Sequence, residues 1–374
     1  MAVYLDHNAT TPALPAARAA MNAALEAGGN PSSVHAGGRA ARRIVEDARA
    51  AVAELVCAFP AEVIFTSGGT EANALALRGV LAANGMKSIL VGMTEHDSVM
   101  ANAVAAPGVF RTLGVDANGV IDLDALDRAL ANVPAPVFVS VMLANNETGV
   151  IAPVAGIAQR VKAVGGLLHV DAAQAAGRVE VNLRDLGADL MTVSAHKMGG
   201  IQGAGALVVR DGIRVSAQIA GGGQELGRRS GTENVAAIAA FGAAAASPAD
   251  WSKTAMLRDR LEAKIAEAVP QVVVYGAGVA RLPNTSMFGL AGVAGETQMM
   301  AMDLAGFAIS SGAACSSGKM KVSHVLAAMG AAHPADAIRV SLGPETTGAE
   351  IDGFVAAWTA FADKALKRRT AEAA

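Results

Sequence analysis

The sequence predicts an α/β protein with a mostly parallel, doubly wound sheet in a large domain and a smaller α+β domain beside it. Two patterns carry this reading. Short β-branched runs alternate with amphipathic segments of helical period through the first part of the chain, and after Gly221 the pattern changes to Gly-rich loops and longer helices. With 374 residues, 52% of them hydrophobic, the chain is long enough to bury its cores without disulfide staples.

In chain order, Glu62 to Thr66, Ser88 to Gly92, Val137 to Met142, Leu167 to Asp171, Asp189 to Ser194 and Ala206 to Val209 read as strands. Arg39 to Val56, Glu71 to Ala83, Leu123 to Asn132 and Val154 to Val164 read as the helices between them. Strand followed by helix, repeated, places a ligand at the carboxyl ends of the strands. The Ala-rich run Val235 to Ser247 falls short of the ~20 residues that cross a bilayer, so it reads as a buried helix. Lys253 to Ala268 and Glu350 to Lys367 are further helices, and Pro248-Ala-Asp250 supplies a break. The expected division is a segment 1–15 that returns to the small domain, a large domain 16–249 and a small domain 250–374.

The net charge of -3, with no basic or acidic block, argues against nucleic acid or a membrane surface as partner and for a small-molecule substrate. Cys57 and Cys315 are the only cysteines, and the N-terminus has no basic region followed by an apolar one. A reduced, cytoplasmic setting is expected. Cys57 continues the apolar pattern of Val52, Leu55 and Val56, which predicts inert burial.

The chemistry-bearing residues fall at predicted strand ends. Thr66-Ser-Gly-Gly-Thr-Glu71 joins a strand to a helix, where free N–H groups converge on an anion; alone, such a turn is more often plain turn chemistry. Asp171 could pair with a protonated pyridine nitrogen or cap the next helix. With His169 it could also begin a metal site, but no distal His is marked and no metal is expected. Lys197 follows a buried run and precedes Met198-Gly-Gly200, a setting for a Schiff-base lysine rather than a solvated one. Cys315 sits among Ser310, Ser311, Gly312, Ser316, Ser317 and Gly318, a loop composition and an odd place for a structural thiol. His7, His35, His324 and His333 read as loop or surface residues.

Ten segments together resemble the NifS/IscS-type cysteine desulfurases: Leu5 to Pro12, Gly29 to Ser33, Thr66 to Asn73, Thr94 to His96, Asn145 to Gly149, Val170 to Gln174, Ser194 to Lys197, Arg229 to Asn234, Ser310 to Ser317 and Arg339 to Gly343. They occur in the family's order. The resemblance implies a fold-type I pyridoxal 5'-phosphate enzyme of the class V aminotransferase group, acting as a homodimer on L-cysteine. It implies that Lys197 holds the cofactor as a Schiff base, that Asp171 keeps the pyridine nitrogen protonated, and that His96 stacks on the ring and assists proton transfers. Gln174 and Asn146 would bond the phenolic oxygen, and Gly69, Thr70, Ser194 and His196 the phosphate. Thr232 would reach the phosphate in the partner subunit.

Arg339 would take the substrate carboxylate, a task that suits a planar fork, although a structural salt bridge is the plain alternative. Cys315 would take the sulfur as a persulfide and pass it to an iron–sulfur scaffold or another acceptor, leaving alanine. Lys319, Lys321 or His96 could help form its thiolate.

Some positions depart from the family. Ala195 replaces a common Gly, Gly200-Ile-Gln-Gly203 a Gly-Pro-Lys-Gly, and Gly-Ala-Ala-Cys315 a Gly-Ser-Ala-Cys, and the tail after Gly343 is short. Selenocysteine lyase or another class V enzyme is the near rival. A nucleotide-binding oxidoreductase would need a Gly-x-Gly-x-x-Gly after the first strand, which is missing.

Overall fold

The computed structural model describes residues 2–311 and 322–372. The chain begins with β1 (Val3–Tyr4), α1 (Pro15–Ala27) and α2 (Ala36–Leu55). Pro15 suits the first turn of α1, where its fixed φ is helical and its missing N–H has no partner to lose. The face of α2 that carries Ala41, Val45, Ala48 and Val52 is buried.

Then come β2 (Val63–Thr66), α3 (Gly69–Ala74), a π-helical stretch Leu75–Val80, α4 (Leu81–Asn84), β3 (Ser88–Gly92), α5 (Asp97–Val104), β4 (Val109–Leu113) and α6 (Leu123–Ala131). They are followed by β5 (Val137–Met142), α7 (Val154–Ala163), β6 (Leu167–Asp171), β7 (Leu190–Ser194), β8 (Gly205–Val209) and α8 (Val235–Ala246).

These strands form one seven-stranded sheet in the order β2-β8-β7-β6-β5-β3-β4. Every neighbouring pair is parallel except those of β8, which runs antiparallel to β2 and β7. The reason is the short 195–204 connection, since a parallel return needs a crossover of a dozen or more residues. The strand period of two divides the core between the faces: Leu90, Val139, Val141, Leu168 and Val170 pack on one, Ile89, Val91, Phe138 and Leu190 on the other. Buried strands read as mostly apolar runs, so each expected strand matches to within a residue at either end, and β3, β5 and β6 match in full. The edge strand β4 was not anticipated, because Arg111 and Thr112 face solvent and dilute its apolar signal.

The rest comprises α9 (Ser252–Ala268), β9 (Val273–Val274), β10 (Thr285–Gly289), α10 (Gly295–Leu304), β11 (Phe307–Ala308), α11 (His324–Ala328), β12 (Ala337–Ser341) and α12 (Gly348–Glu372). β12, β10 and β9 make an antiparallel sheet with its own core around Phe288, Ile338, Phe354 and Trp358. Trp358 donates from Nε1 to Gln298 Oε1 at 3.0 Å, so its one polar atom is satisfied in the interior. The N-terminal segment joins this core: β1 pairs in parallel with β11, and Leu5 is fully buried in the same cluster.

Two residues differ from their sequence readings. Cys57 is exposed at φ 54, not buried on the helix. α2 stops at Leu55, and Cys57 takes the left-handed position beyond its end; Cys57 N donates to Glu54 O and Ala58 N to Ala53 O, the Schellman arrangement that usually employs glycine. His7 is buried rather than a plain loop residue, flanked by the rings of Tyr4 and Trp251. A Cβ on Gly343 would lie 2.1 Å from the His7 ring, which explains a glycine there. Burial and Arg178 lower His7 to about 4, so it is neutral at physiological pH.

Candidate active site

The carboxyl ends of β2, β3, β5, β6 and β7 open on one cavity of about 590 Å³. Gly69, Thr70, His96, Asn146, Asp171, Gln174, Ser194, His196, Lys197 and Arg339 all line it. Chain order had scattered these residues; the parallel sheet collects them. Gly205 contributes by its smallness, since a Cβ there would come within 2.6 Å of the Gly68 backbone in the strand-to-helix turn.

Lys197 ends a single turn after β7, and its Nζ donates to the carbonyls of Asn8 at 2.5 Å and Ala9 at 2.9 Å. Burial is the main reason its amine falls to about 7; Arg339 and Arg178 push the same way, against Asp6 and Asp171. A neutral, nucleophilic fraction is therefore present near neutral pH. His196 falls to about 4 through burial, then Lys197 and Arg178, and its Nδ1 lies 3.2 Å from Thr10 Oγ1.

Asp171 closes β6 with both oxygens engaged: Oδ1 accepts from Ala173 N at 2.9 Å and Oδ2 from Asn73 Nδ2 at 2.8 Å. It therefore caps the following turn and also faces the cavity, so the two sequence readings of Asp171 are compatible. Asn73 Nδ2 also donates to Ser98 Oγ at 2.9 Å, and Ser98 Oγ lies 2.8 Å from His96 Nδ1. A chain of contacts thus joins Asp171 to His96. Ser98 N donates to His96 Nδ1 at 3.1 Å, so a neutral His96 carries its proton on Nε2. Behind them Glu95, wholly buried, accepts from Met142 N; burial and the Asp171 charge raise its carboxyl well above the usual range.

Arg339 donates from Nη1 to Asn146 O at 2.9 Å and from Nη2 to Asp6 Oδ1 at 2.6 Å. Arg339 thus makes the salt bridge of the plain alternative, and it also lines the cavity. Arg339 Nε and Asn146 Oδ1 are buried without a partner among the described residues. Gln174 donates from Nε2 to Asn8 O at 3.0 Å.

Sequence reasoning missed Asp6, Asn8, Asn73, Glu95, Ser98 and Arg178. Their signal was polarity at positions that fold into the interior, which a single sequence does not mark. His169, the other half of the His-x-Asp pair, points away into the core. Its Nδ1 lies 2.8 Å from Ser140 Oγ and its Nε2 3.0 Å from Thr192 Oγ1, and burial lowers it to about 4. No cluster of three or more metal-binding side chains occurs among the described residues.

Thr232 is exposed and does not line the cavity of its own chain. Cys315 lies outside the described residues, as do Lys319 and Lys321; Ser310 and Ser311, which precede that segment, line the cavity. His35 and His333 are exposed, and His324, also exposed, opens α11 with Nε2 2.9 Å from Glu95 O. No helix among the described residues is long and apolar enough to cross a membrane.

Residues 3–354 match the family described as aminotransferase class-V. The chain is 45% identical to a cysteine desulfurase of Cereibacter sphaeroides, covering 94% of this chain and 93% of that protein. It is 42% identical to cysteine desulfurase 2 of Trichormus variabilis, over 94% and 90% respectively. Its fold is similar to that of a NifS-like protein from Rickettsia africae, with a TM-score of 0.89 and 34% identity over 97% of this chain and 100% of that one.

Proposed function

The chain belongs to the aminotransferase class-V family, and from that premise we propose that it is a cysteine desulfurase, converting L-cysteine to L-alanine and retaining the sulfur. The observation that carries the reading is the convergence of a lysine amine lowered to about 7, a strand-end carboxylate and a buried arginine on one cavity.

The site suits pyridoxal 5'-phosphate. Asn146 and Arg339, each with a buried polar atom lacking a partner among the described residues, line a pocket of sufficient size, and the first N–H groups of α3 at Gly69 and Thr70 suit a phosphate, with Ser194 and His196 beside them. When bound, the cofactor supplies an electron-withdrawing ring that weakens bonds to the substrate Cα.

The chain's residues do the rest. Lys197 would hold the cofactor covalently through Nζ, Asp171 would keep the pyridine nitrogen protonated, and Gln174 and Asn146 would bond the phenolic oxygen. His96 would stack on the ring and, through Nε2, would serve proton transfer. Arg339 fixes the substrate carboxylate and so aligns the Cα–H bond. The Cys315 thiolate would attack the substrate sulfur: an S–S bond forms as the C–S bond breaks, its electron pair stays with the substrate carbon, and protonation of that carbon completes alanine.

Thr232 completes the phosphate site of a second subunit in a homodimer. The chain divides into segment 1–15, large domain 16–249 and small domain 250–374, and β1 against β11 ties the first to the last. The persulfide is passed to an iron–sulfur scaffold or another thiol acceptor. The low cysteine content fits the reducing cytoplasm.

Borohydride reduction of the yellow protein, followed by peptide mass spectrometry, tests the site. A pyridoxyl adduct should be found on Lys197 and be missing in Lys197→Ala. An adduct on another lysine in the wild type would refute the assignment.

A further inference from the structure

Arg178 is a buried cation, 5% exposed, and among the described residues no carboxylate lies at ion-pair distance from it. Burying a guanidinium without a counter-charge is costly unless its donors are filled. Here the two terminal nitrogens are filled by neutral acceptors, while Nε is buried without a partner among the described residues. Nη1 donates to Gln174 Oε1 and Asn8 Oδ1, both at 2.6 Å. Nη2 donates to His7 O at 2.8 Å and to Lys197 O at 3.0 Å. The guanidinium also lies over the Trp251 ring, 5.2 Å from its centroid.

The acceptors belong to three separate pieces of the site: the N-terminal loop, the turn after β6 and the lysine-bearing turn after β7. Arginine can only donate, so the Gln174 atom facing it is the oxygen. The amide nitrogen is then turned the other way; one of its hydrogens goes to Asn8 O, and the second is available to the cavity.

We propose that Arg178 is the positioning residue of this site: it fixes the amide of Gln174 with its donor toward the cavity, and it locks the N-terminal loop to the Lys197 turn. This rests on the cofactor reading above for what Gln174 would contact, but the locking does not. Burial and Arg339 lower Arg178 only to about 9, so the lock stays charged at neutral pH. Its charge then acts on Lys197 together with Arg339, opposed by Asp6 and Asp171, with His196 neutral.

Two measurements test it. In apoprotein, reductive methylation of Lys197 with formaldehyde, followed by peptide mass spectrometry across pH, reads the amine directly. In reconstituted protein, titration with pyridoxal 5'-phosphate reads capture. Arg178→Met should raise the Lys197 labelling midpoint by about one pH unit and weaken capture roughly tenfold or more. Arg178→Lys keeps the charge and so the midpoint, but loses the fork and should still weaken capture.

Because one of its two tasks acts through Gln174, the loss of capture in Arg178→Lys/Gln174→Ala should be smaller than the two single losses combined. Wild-type midpoint and capture in folded Arg178→Met would overturn the proposal. If that variant does not fold, fully additive losses in the double variant would overturn it instead. If wild-type protein fails to bind the cofactor at all, the functional reading fails, while the labelling midpoints still judge Arg178.

Discussion

Arg339 holds Asp6 across most of the length of the sequence, Nη2 to Oδ1 at 2.6 Å, so the guanidinium assigned to the substrate carboxylate already carries one. Asp6 orients the fork and also opposes a second anion beside it.

Asp6→Asn separates the two effects, because the amide oxygen still accepts the hydrogen bond while the charge is gone. KM for L-cysteine should fall by roughly fivefold, about 1 kcal/mol, as the arginine gains net attraction for the substrate. The Lys197 amine should drop further, since Asp6 is one of the groups that raise it. Steady-state kinetics decide the matter; a higher KM would mean that orientation outweighs charge.

Asn73 bridges Asp171 and Ser98 through one nitrogen. In Asn73→Ala, Asp171 keeps only Ala173 N as a donor among these contacts, and the link to His96 is cut. A lost hydrogen bond to a charged group is worth about 1.5–3 kcal/mol, so substrate α-deuterium exchange should slow by roughly ten- to a hundredfold. Ser98→Ala, which retains the backbone donor to His96 Nδ1, should slow it less. Equal exchange rates in all three proteins would refute a role for the bridge.

His169 is buried between Ser140 and Thr192 and lowered from its ordinary 6.5 to about 4. The unfolded chain binds this proton first as pH falls, so between 6.5 and about 4 the unfolded state holds more protons and the fold weakens. Stability from this residue is complete above the window and is lost downward through it, up to about 3 kcal/mol. Urea midpoints should fall between about pH 7 and about pH 4.5, and His169→Gln should reduce that fall. A midpoint independent of pH in the wild type would contradict the burial argument.

The central sheet was legible because parallel strands covered on both faces are near-continuous apolar runs, as Val137–Met142 shows with Ser140 its one interruption. The strand ends in turn located Asp171 and Lys197. The direction of β8 was not legible in its own residues; it results from the short connection before it. Cys57 misled because the apolar pattern continues in sequence past the end of α2 at Leu55, onto the residue where the backbone turns left-handed. Asn8, Asp6 and Arg178 were not assigned a role, since the contacts of Arg178 to Asn8 and of Arg339 to Asp6 join segments more than a hundred residues apart. The resemblance to known desulfurases named the residues proposed to hold the cofactor, whereas the hydrogen bonds of the folded chain reveal those that pack behind them.

Cys315 decides between a desulfurase and another enzyme of the family, because cofactor chemistry and sulfur capture fall to different residues. In Cys315→Ala, Lys197, Asp171 and Arg339 remain, so L-cysteine should still bind and still change the visible spectrum of the protein. Quantifying alanine from L-cysteine in this variant, with intact-protein mass spectrometry for bound sulfur, is the most direct measurement. Alanine formation should collapse and the added sulfur mass seen on the wild type should be missing, while Cys57→Ala behaves as wild type in both. Alanine release by Cys315→Ala at the wild-type rate would contradict the account.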